Sequence, residues 1–168
     1  MELQIIKATK KHATEMGFIH SCSWKKAYAG IIPDEIISEF TPEKRSEIFL
    51  NVIDTQSEEY YLFKIDAQPV GIASLSKSHE KNAPNYVGEI YSIYFHPNYW
   101  GTPITQTAFQ FCVDRLKTLG FTHVTIWVLD ENIRAKKFYE KNGFIFDGHS
   151  EEIEIGIKLR EIRYSKEI

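Results

Sequence analysis

The sequence has 168 residues and a formal net charge of −3, and its Lys and Arg residues are scattered along the chain. No basic stripe is therefore available to neutralise a nucleic-acid backbone, and we exclude nucleic acid as a partner. Hydrophobic residues make up 43% and charged residues 26%, which is ordinary for a globular protein. A chain of this length buries about two thirds of its unfolded surface, so we expect a single domain over residues 1–168.

The cysteines and histidines predict neither disulfides nor a metal site. Cys22 and Cys112 lie far apart without a CxxC partner, and the N-terminus is charged rather than apolar, so we expect a reducing cytoplasmic location. No run of eighteen apolar residues exists, which argues against a membrane span. The six His residues form no HxxxH or HxH pair, and we expect no metal.

The N-terminal part of the sequence predicts a strand followed by helices. Alternation over Leu3–Ile5 predicts a short strand, and the apolar spacing over Ala13–Trp24 predicts a helix. A short helical run follows Pro33. Thr41-Pro42 is typical of a helix start, with Thr41 as the cap, so a further helix is expected over about 42–52.

Three strands are predicted in the middle of the chain. Residues 61–65 and 70–76 alternate and are joined by the turn Asp66–Pro69, which predicts a hairpin. A polar link then leads into Val87–Phe95, a run rich in Tyr and Ile that is typical of a central strand and is ended by Pro97.

The C-terminal part predicts two helices and further strands. From Pro103 the apolar residues recur at spacings of three and four until Gly120, which predicts a helix. An alternating strand is expected over His123–Val128, and a second helix over 133–141.

The last expected strands are Phe144–Phe146 and the alternating run Ile153–Leu159. The order of elements predicts an α+β fold with a mixed sheet. The oligomeric state is left open, and a homodimer that pairs the strand Ile153–Leu159 between subunits is one arrangement.

Three segments resemble the GNAT N-acetyltransferase superfamily. The strongest is Asn132–Phe144, which is similar to the family pattern N-x-x-A-x-x-F-Y-E-x-x-G-F. Tyr91–Gly101 resembles the family's central strand, which ends in His-Pro and runs into a helix N-terminus. The pattern S-W-x-x-A-Y-x-G-x-x-P at Ser23–Pro33 resembles the N-terminal half of many bacterial GNAT proteins thought to act on small molecules.

This resemblance implies a mostly antiparallel sheet of about seven strands, splayed at its centre and flanked by four to five helices. In the family the splayed strand hydrogen-bonds the pantetheine arm of coenzyme A through its backbone, and the following loop holds the pyrophosphate. A helix N-terminus suits that anion because its N–H groups are unpaired.

The resemblance also implies which residues contact acetyl-CoA. They are Ile93, Tyr94, Phe95, Gly101, Thr102, Ile104, Thr105, Gln106, Asn132 and Tyr139. Asn132 and Tyr139 lie seven residues apart and share one helix face. Each also has a structural interpretation, Asn132 as a helix cap and Tyr139 as a core aromatic residue.

The expected phosphate loop departs from the family pattern Q/R-x-x-G-x-G/A. Trp100, Pro103 and Thr105 occupy the three signature positions, so one backbone donor is lost and a branched side chain replaces a glycine or alanine. Gly101 is retained, and Thr102 and Pro103 suit the cap and first position of a helix.

The resemblance assigns Tyr139 as the general acid that protonates the departing thiolate of coenzyme A, which a phenol protonated at pH 7 is able to do. Glu89 lies where several family members keep a carboxylate and is the candidate base, although a solvated strand-end carboxylate is an equal interpretation. Trp24 and Tyr28 are candidates to contact the acceptor, and helix packing explains them equally well.

The predicted function is transfer of an acetyl group from acetyl-CoA to the amine of a small molecule, such as an amino acid or a polyamine, by direct attack. Two alternatives stay open because the phosphate loop is altered. One is an acyl-CoA-binding or sensing domain without catalysis, and the other is a module that keeps only the fold.

Overall fold

The computed structural model describes residues 2–55 and 57–168. Over these residues, seven strands and five α-helices follow one another. In order they are β1 (Leu3–Lys7), α1 (Ala13–Tyr28), α2 (Asp34–Ser38), α3 (Pro42–Val52), β2 (Glu59–Ile65), β3 (Gln68–Lys77), β4 (Val87–Phe95), α4 (Pro103–Thr118), β5 (His123–Leu129), α5 (Ile133–Lys141), β6 (Ile145–Ile155) and β7 (Ile157–Glu167).

The strands form one sheet in the order β1-β2-β3-β4-β5-β7-β6. Among the described strands, β4 and β5 alone are parallel neighbours, and α4 connects them, whereas every other neighbouring pair is antiparallel. This confirms the predicted α+β fold with a mixed, mostly antiparallel sheet. Among the described residues, no helix is both long enough and apolar enough to cross a membrane.

The core lies on both faces of the sheet because alternate residues of a strand face opposite sides. Tyr60 and Leu62 of β2 pack with buried residues of α1 and α3. The intervening Tyr61 and Phe63 pack on the other face, where α4 contributes Phe109 and its buried neighbours. The sheet is thus covered by α1 and α3 on one side and by α4 on the other.

One of the two threonine caps expected from the sequence is present, because Thr102 occupies the cap position of α4 but its side chain makes no capping hydrogen bond. Thr41 caps α3, since its Oγ1 accepts a hydrogen bond from the backbone N–H of Lys44 at 3.2 Å. Both β4 and α5 have the predicted bounds. Helix α1 continues one turn beyond the predicted Trp24 and ends at Tyr28.

The first predicted hairpin turn is shorter than expected. Asp66 and Ala67 alone form it, with φ of 46° and 66°, so Gln68 and Pro69 belong to β3. Two consecutive residues with positive φ are typical of a type I′ turn, whose twist matches that of the flanking strands.

The prediction of one strand over Ile153–Leu159 is wrong. Gly156, with φ of 70°, forms a tight turn there, and Ile155 of β6 pairs with Ile157 of β7. Alternation alone did not reveal the turn, because apolar residues at every second position continue across it. The chain therefore ends in a long hairpin whose second strand, β7, inserts between β5 and β6.

Candidate active site

The two central strands β4 and β5 separate after three paired residues. Val87, Gly88 and Glu89 pair with residues of β5, and the last pair is Glu89 with Thr125. Beyond that point β5 pairs only with β7, while β4 continues beside β3. A slot therefore opens between the strands.

A β-bulge lies at the point where the slot begins. Ser74 of β3 pairs with Ser92, and the next residue, Leu75, pairs with Ile90, so Tyr91 is the extra residue on β4. Bulges bend a strand and redirect its side chains, and they are frequent beside active sites. Here the bulge turns the C-terminal half of β4 away from β5.

The slot opens into a cavity of about 760 Å³. Helix α5 and the C-terminal half of β4 line one part of it, and a second part, here called the acidic end, contains five carboxylates. Of the predicted coenzyme contacts, five line this cavity: Ile93, Tyr94, Phe95, Asn132 and Tyr139.

Asn132 and Tyr139 are brought to the cavity by α5. Asn132 caps this helix by accepting a hydrogen bond from the N–H of Ala135 at 3.2 Å, so its structural interpretation holds. Tyr139 is buried and stacks on Phe109. No described residue hydrogen-bonds its hydroxyl, and burial, reinforced by the nearby Tyr28, raises the pKa of Tyr139.

The two predicted acceptor residues of α1 contact each other, with ring centroids 4.6 Å apart, but have different surroundings. Tyr28 lines the cavity, and burial raises its pKa although a hydrogen bond with Asn132 opposes the rise. Trp24 lies outside the cavity wall, stacked on Phe40 with ring centroids 3.6 Å apart. Its contacts are those expected for helix packing.

Glu89 is buried at the base of the slot. Its Oε2 accepts hydrogen bonds from the backbone N–H of His79 at 2.8 Å and from Nδ1 of the same ring at 3.1 Å. The other ring nitrogen of His79 lies 2.7 Å from Oε1 of Glu58, which is also buried. The carboxylate is thus not a solvated strand end but part of a three-residue cluster.

The second end of the cavity is acidic. Its wall includes five glutamates: Glu58, Glu80, Glu89, Glu151 and Glu161. Arg163 forms an ion pair with Glu80. Burial raises the pKa of Glu161, and the charges of Glu151 and Glu89 add to the rise. Such a cluster favours a cationic ligand.

His20 of α1 also faces the cavity. Its Nδ1 is buried and has no hydrogen-bond partner among the described residues. Burial and the charge of Arg45 lower the pKa of His20 to about 4, so the ring is neutral at physiological pH. Across the described part of the chain, no group of three or more His, Cys, Asp or Glu side chains is arranged to hold a metal ion.

Comparison with known proteins identifies the family of the chain. A model of the Acetyltransferase (GNAT) family matches residues 24–144. Spermidine N(1)-acetyltransferase from Thermoplasma acidophilum is 31% identical over 127 residues, 73% of this chain and 75% of that protein.

The chain belongs to the GNAT acetyltransferase family.

Two solved structures show the same GNAT fold. PaiA N-acetyltransferase from Thermoplasma acidophilum, in complex with coenzyme A, is 23% identical and covers both chains fully with a TM-score of 0.77. The yncA protein from Salmonella typhimurium, with its cofactor acetyl-CoA, is 15% identical and covers 98% of this chain and 93% of its own, with a TM-score of 0.70.

The altered GNAT phosphate loop keeps free backbone donors. The N–H groups of Gly101, Ile104 and Thr105 donate to no acceptor among the described residues. The hydroxyl of Thr102 donates to the carbonyl of Tyr99 at 2.7 Å, and that of Thr105 to the carbonyl of Thr102 at 2.8 Å. The start of α4 therefore still presents unpaired N–H groups and the positive end of its dipole.

Trp100 lies across the end of β4 in this GNAT protein. Its indole Nε1 donates to the carbonyl of Phe95 at 2.9 Å, and the guanidinium of Arg134 stacks on the ring at 3.6 Å. A cation thus lies beside the position where the GNAT pattern has Gln or Arg. The ring of Pro103 is exposed and does not fill the loop.

Two other predicted loop residues make local contacts. Ile104 is half-buried and packs against the core that includes α4 and α5. Gln106 donates from its side-chain amide to the side chain of Asn142, which ties the start of α4 to the end of α5. Neither residue lines the cavity.

Several cavity residues escaped the sequence analysis of this GNAT chain. Glu58 and His79 lie in polar segments predicted only as links, and nothing in their local pattern marks them. Arg134 falls inside the recognised GNAT motif, but at a position that the motif leaves unspecified. The tertiary structure alone places these three side chains at the cavity.

Proposed function

We propose that this protein is an N-acetyltransferase that moves the acetyl group of acetyl-CoA to a primary amine of a small polycationic molecule. The observation that carries the proposal is the slot between β4 and β5, because it leads into one cavity that is bounded by Tyr139 and ends at five glutamates. A thioester entering by the slot and an amine entering at the acidic end would meet inside it.

The coenzyme half of the proposal rests on three features. The C-terminal half of β4 has left β5, so its backbone faces the slot. The loop before α4 and the first turn of α4 together offer three unpaired N–H groups to the pyrophosphate. Relatives with this fold have been solved with coenzyme A and with acetyl-CoA.

The chemistry that we propose is direct attack. The amine nitrogen bonds to the carbonyl carbon of the thioester, the carbon–sulfur bond breaks, and the electron pair leaves with sulfur. Tyr139 gives its proton to that thiolate, a role suited to a phenol whose raised pKa keeps it protonated. Glu89 takes the proton that the ammonium group of the substrate loses before attack. The nitrogen loses a second proton as the amide forms, and that proton returns to Tyr139, so that one proton in all is released for each acetyl group transferred.

The acidic end of the cavity supports a substrate with several positive charges. An amino acid carries a carboxylate that the glutamates would repel, whereas a polyamine has only cationic groups. The relative named for spermidine N(1)-acetylation agrees with this choice. Of the two acceptors predicted from the sequence, the polyamine is therefore favoured.

One observation favours the alternative of a silent acyl-CoA-binding protein. The indole of Trp100 uses the carbonyl of Phe95, a backbone group that the family pattern assigns to the coenzyme. Catalysis requires either that the hydrogen bond from the indole to this carbonyl breaks or that the coenzyme binds without using the carbonyl.

Two measurements test the proposal. A calorimetric titration should show saturable acetyl-CoA binding, and ligand at about a hundred times its dissociation constant should stabilise the protein by about 2.7 kcal/mol. Release of free thiol should then depend on added amine, with spermidine faster than a monoamine or an amino acid. Binding without amine-dependent release would favour the silent alternative, and no binding at millimolar coenzyme would refute both.

A further inference from the structure

The cluster Glu58–His79–Glu89 joins three segments that are distant in sequence. Glu58 precedes β2, His79 follows β3 and Glu89 lies on β4. The imidazole bridges the carboxylates, with Nδ1 3.1 Å from Oε2 of Glu89 and Nε2 2.7 Å from Oε1 of Glu58. Tyr91 packs on the ring with centroids 4.3 Å apart.

Burial shows why the ring is needed. The carboxylate side chains of Glu58 and Glu89 are 4% and 5% exposed, whereas that of His79 is 42% exposed. Two buried anions this close repel each other unless a cation or strong donors compensate them. A protonated imidazole donates from both nitrogens and satisfies one oxygen on each side.

We infer that His79 is a positioning residue for acetyl transfer, an inference that rests on the proposed function. The protonated ring, held between Glu58 and Glu89, fixes the Glu89 carboxylate so that Oε1 stays free for the proton of the substrate amine. Oε2 of Glu89 is occupied by the ring and by the backbone N–H of His79. Oε1 accepts no hydrogen bond from any described residue, and Glu89 lines the cavity.

The surroundings of the ring agree with a protonated state. Burial alone would lower the pKa of His79, but its hydrogen bonds to Glu89 and Glu58 and their charges outweigh burial and raise the pKa above the ordinary 6.5. The titratable and charged groups around the cluster are Glu58 and Tyr60 at β2, Glu89 and Tyr91 on β4, the adjacent Glu80 with its partner Arg163, and Glu151 and Glu161 on the terminal hairpin. Negative charges predominate among them.

The variant His79→Gln tests the role, because it removes the charge and leaves a single amide in place of the ring. We expect kcat for spermidine to fall about 10- to 100-fold, with the KM for acetyl-CoA unchanged. His123→Gln is the matched control. His123 is the first residue of β5 and does not line the cavity, so this variant should leave kcat unchanged.

The pH profile distinguishes this role from simple packing. In the natural protein kcat should fall as pH rises through the raised pKa of His79, since the ring then loses the proton that holds both carboxylates. This descending limb should be absent from His79→Gln, and imidazole in solution should restore part of the activity of His79→Ala. Equal kcat and equal profiles in the natural and His79→Gln proteins would overturn the inference and leave the proposed function standing.

Nitrogen NMR of the unmodified protein gives a readout that does not require activity. Both ring nitrogens of His79 should be protonated at pH 7, and Glu89→Gln should lower the pKa of the ring. A neutral ring at pH 7 overturns the inference. A natural protein that releases no thiol with any amine refutes the proposed function instead, and the spectra still decide whether the ring holds both carboxylates.

Discussion

Tyr139 combines the two properties that a general acid needs at the residue scale. Its ring is fixed by packing against Phe109 and Phe144, and its hydroxyl has no partner among the described residues. The raised pKa of Tyr139 keeps the phenol protonated across the physiological range. A packed ring with an unpaired hydroxyl at a cavity is consistent with the proposed donation to a thiolate.

Replacing Tyr139 by Phe removes only the hydroxyl and keeps the ring contacts. We expect kcat to fall about 100-fold while the dissociation constant of acetyl-CoA changes little, because the proton is needed only as the carbon–sulfur bond breaks. Single-turnover rates and calorimetry separate the two quantities.

The same residue sets a pH dependence. In the proposed role Tyr139 acts while it is protonated, so we expect its contribution to kcat to be present below its raised pKa and to be lost only as pH rises past the ordinary phenol value of 10.0. A Tyr139→Phe protein with the natural kcat would remove this residue from the mechanism.

Trp100 is one of the three positions at which the phosphate loop departs from the family pattern. Replacing it by Gln restores a family residue and removes the indole from the carbonyl of Phe95. We expect acetyl-CoA to bind about tenfold more tightly, since a backbone acceptor becomes free for the pantetheine arm. Trp100→Phe is the control, because it keeps an aromatic ring for Arg134 but lacks the N–H donor. Weaker binding of acetyl-CoA by both variants would show that the indole itself holds the coenzyme.

At the scale of elements, Glu59 at the start of β2 ties together three parts of the fold. Its carboxylate accepts hydrogen bonds from Lys7 of β1 at 2.8 Å, from Arg115 of α4 at 2.7 and 2.8 Å, and from Tyr61 at 2.7 Å. The hydrogen bond from Arg115 is the main reason that the pKa of Glu59 is lowered to about 2.

This lowered pKa predicts how stability depends on pH. Glu59 stabilises the fold fully above its ordinary pKa of 4.5, and that contribution is lost as pH falls towards 2. Glu59→Gln should lower the unfolding midpoint at pH 7 by about 5 °C and flatten the acid limb of the stability profile. Thermal scans between pH 2 and 7 measure both effects, with the exposed Glu47→Gln as a control that should change neither.

The terminal hairpin depends on Gly156 at its tip. A Cβ there would lie 2.5 Å from Cγ1 of Ile36, and φ is 70°. Gly148 has φ of 91° but open space around it. Alanine would therefore be strained by the positive φ at both positions, but it would clash with a neighbouring side chain only at position 156. We expect Gly148→Ala to cost about 1–2 kcal/mol and Gly156→Ala distinctly more. Chemical denaturation compares them, and equal losses would show that the contact with Ile36 is unimportant.

At the scale of the whole molecule, the charge distribution matters more than the net charge of −3. Five glutamates line the cavity, whereas the unpaired N–H groups at the start of α4 belong to residues that do not line it. In the proposed function, a cationic acceptor is therefore attracted to the glutamates and the anionic pyrophosphate of the coenzyme to the start of α4.

This separation predicts a dependence on salt. Raising the ionic strength from about 50 to about 300 mM should raise the KM for spermidine about three- to tenfold, because the attraction of several charges is screened. A monoamine of similar length should be affected much less. Identical salt responses for the two amines would contradict recognition by the glutamates.

Much of the fold was predictable because local chemistry determines it. The caps at Thr41 and Asn132 and the alternation of Val87–Phe95 depend on neighbours within a few residues, and these elements have the predicted bounds. The terminal hairpin was not predictable in the same way. The alternation of apolar residues continues across its turn without a break. A glycine at position 156 is as compatible with a bulge in one strand as with a turn between two strands.

By itself the sequence determined the α+β class, the splayed central strand and the helix that carries Asn132 and Tyr139, since hydrophobic periodicity and a family motif suffice for these. Only the tertiary structure decided that His79 joins Glu58 to Glu89 and that the indole of Trp100 closes on the carbonyl of Phe95. The physical reason is that such contacts depend on how the bulged strand β4, its neighbours and the following loop pack. Contacts of this kind, between segments that are distant in sequence and meet across a sheet, cannot be inferred from the local sequence pattern of either segment.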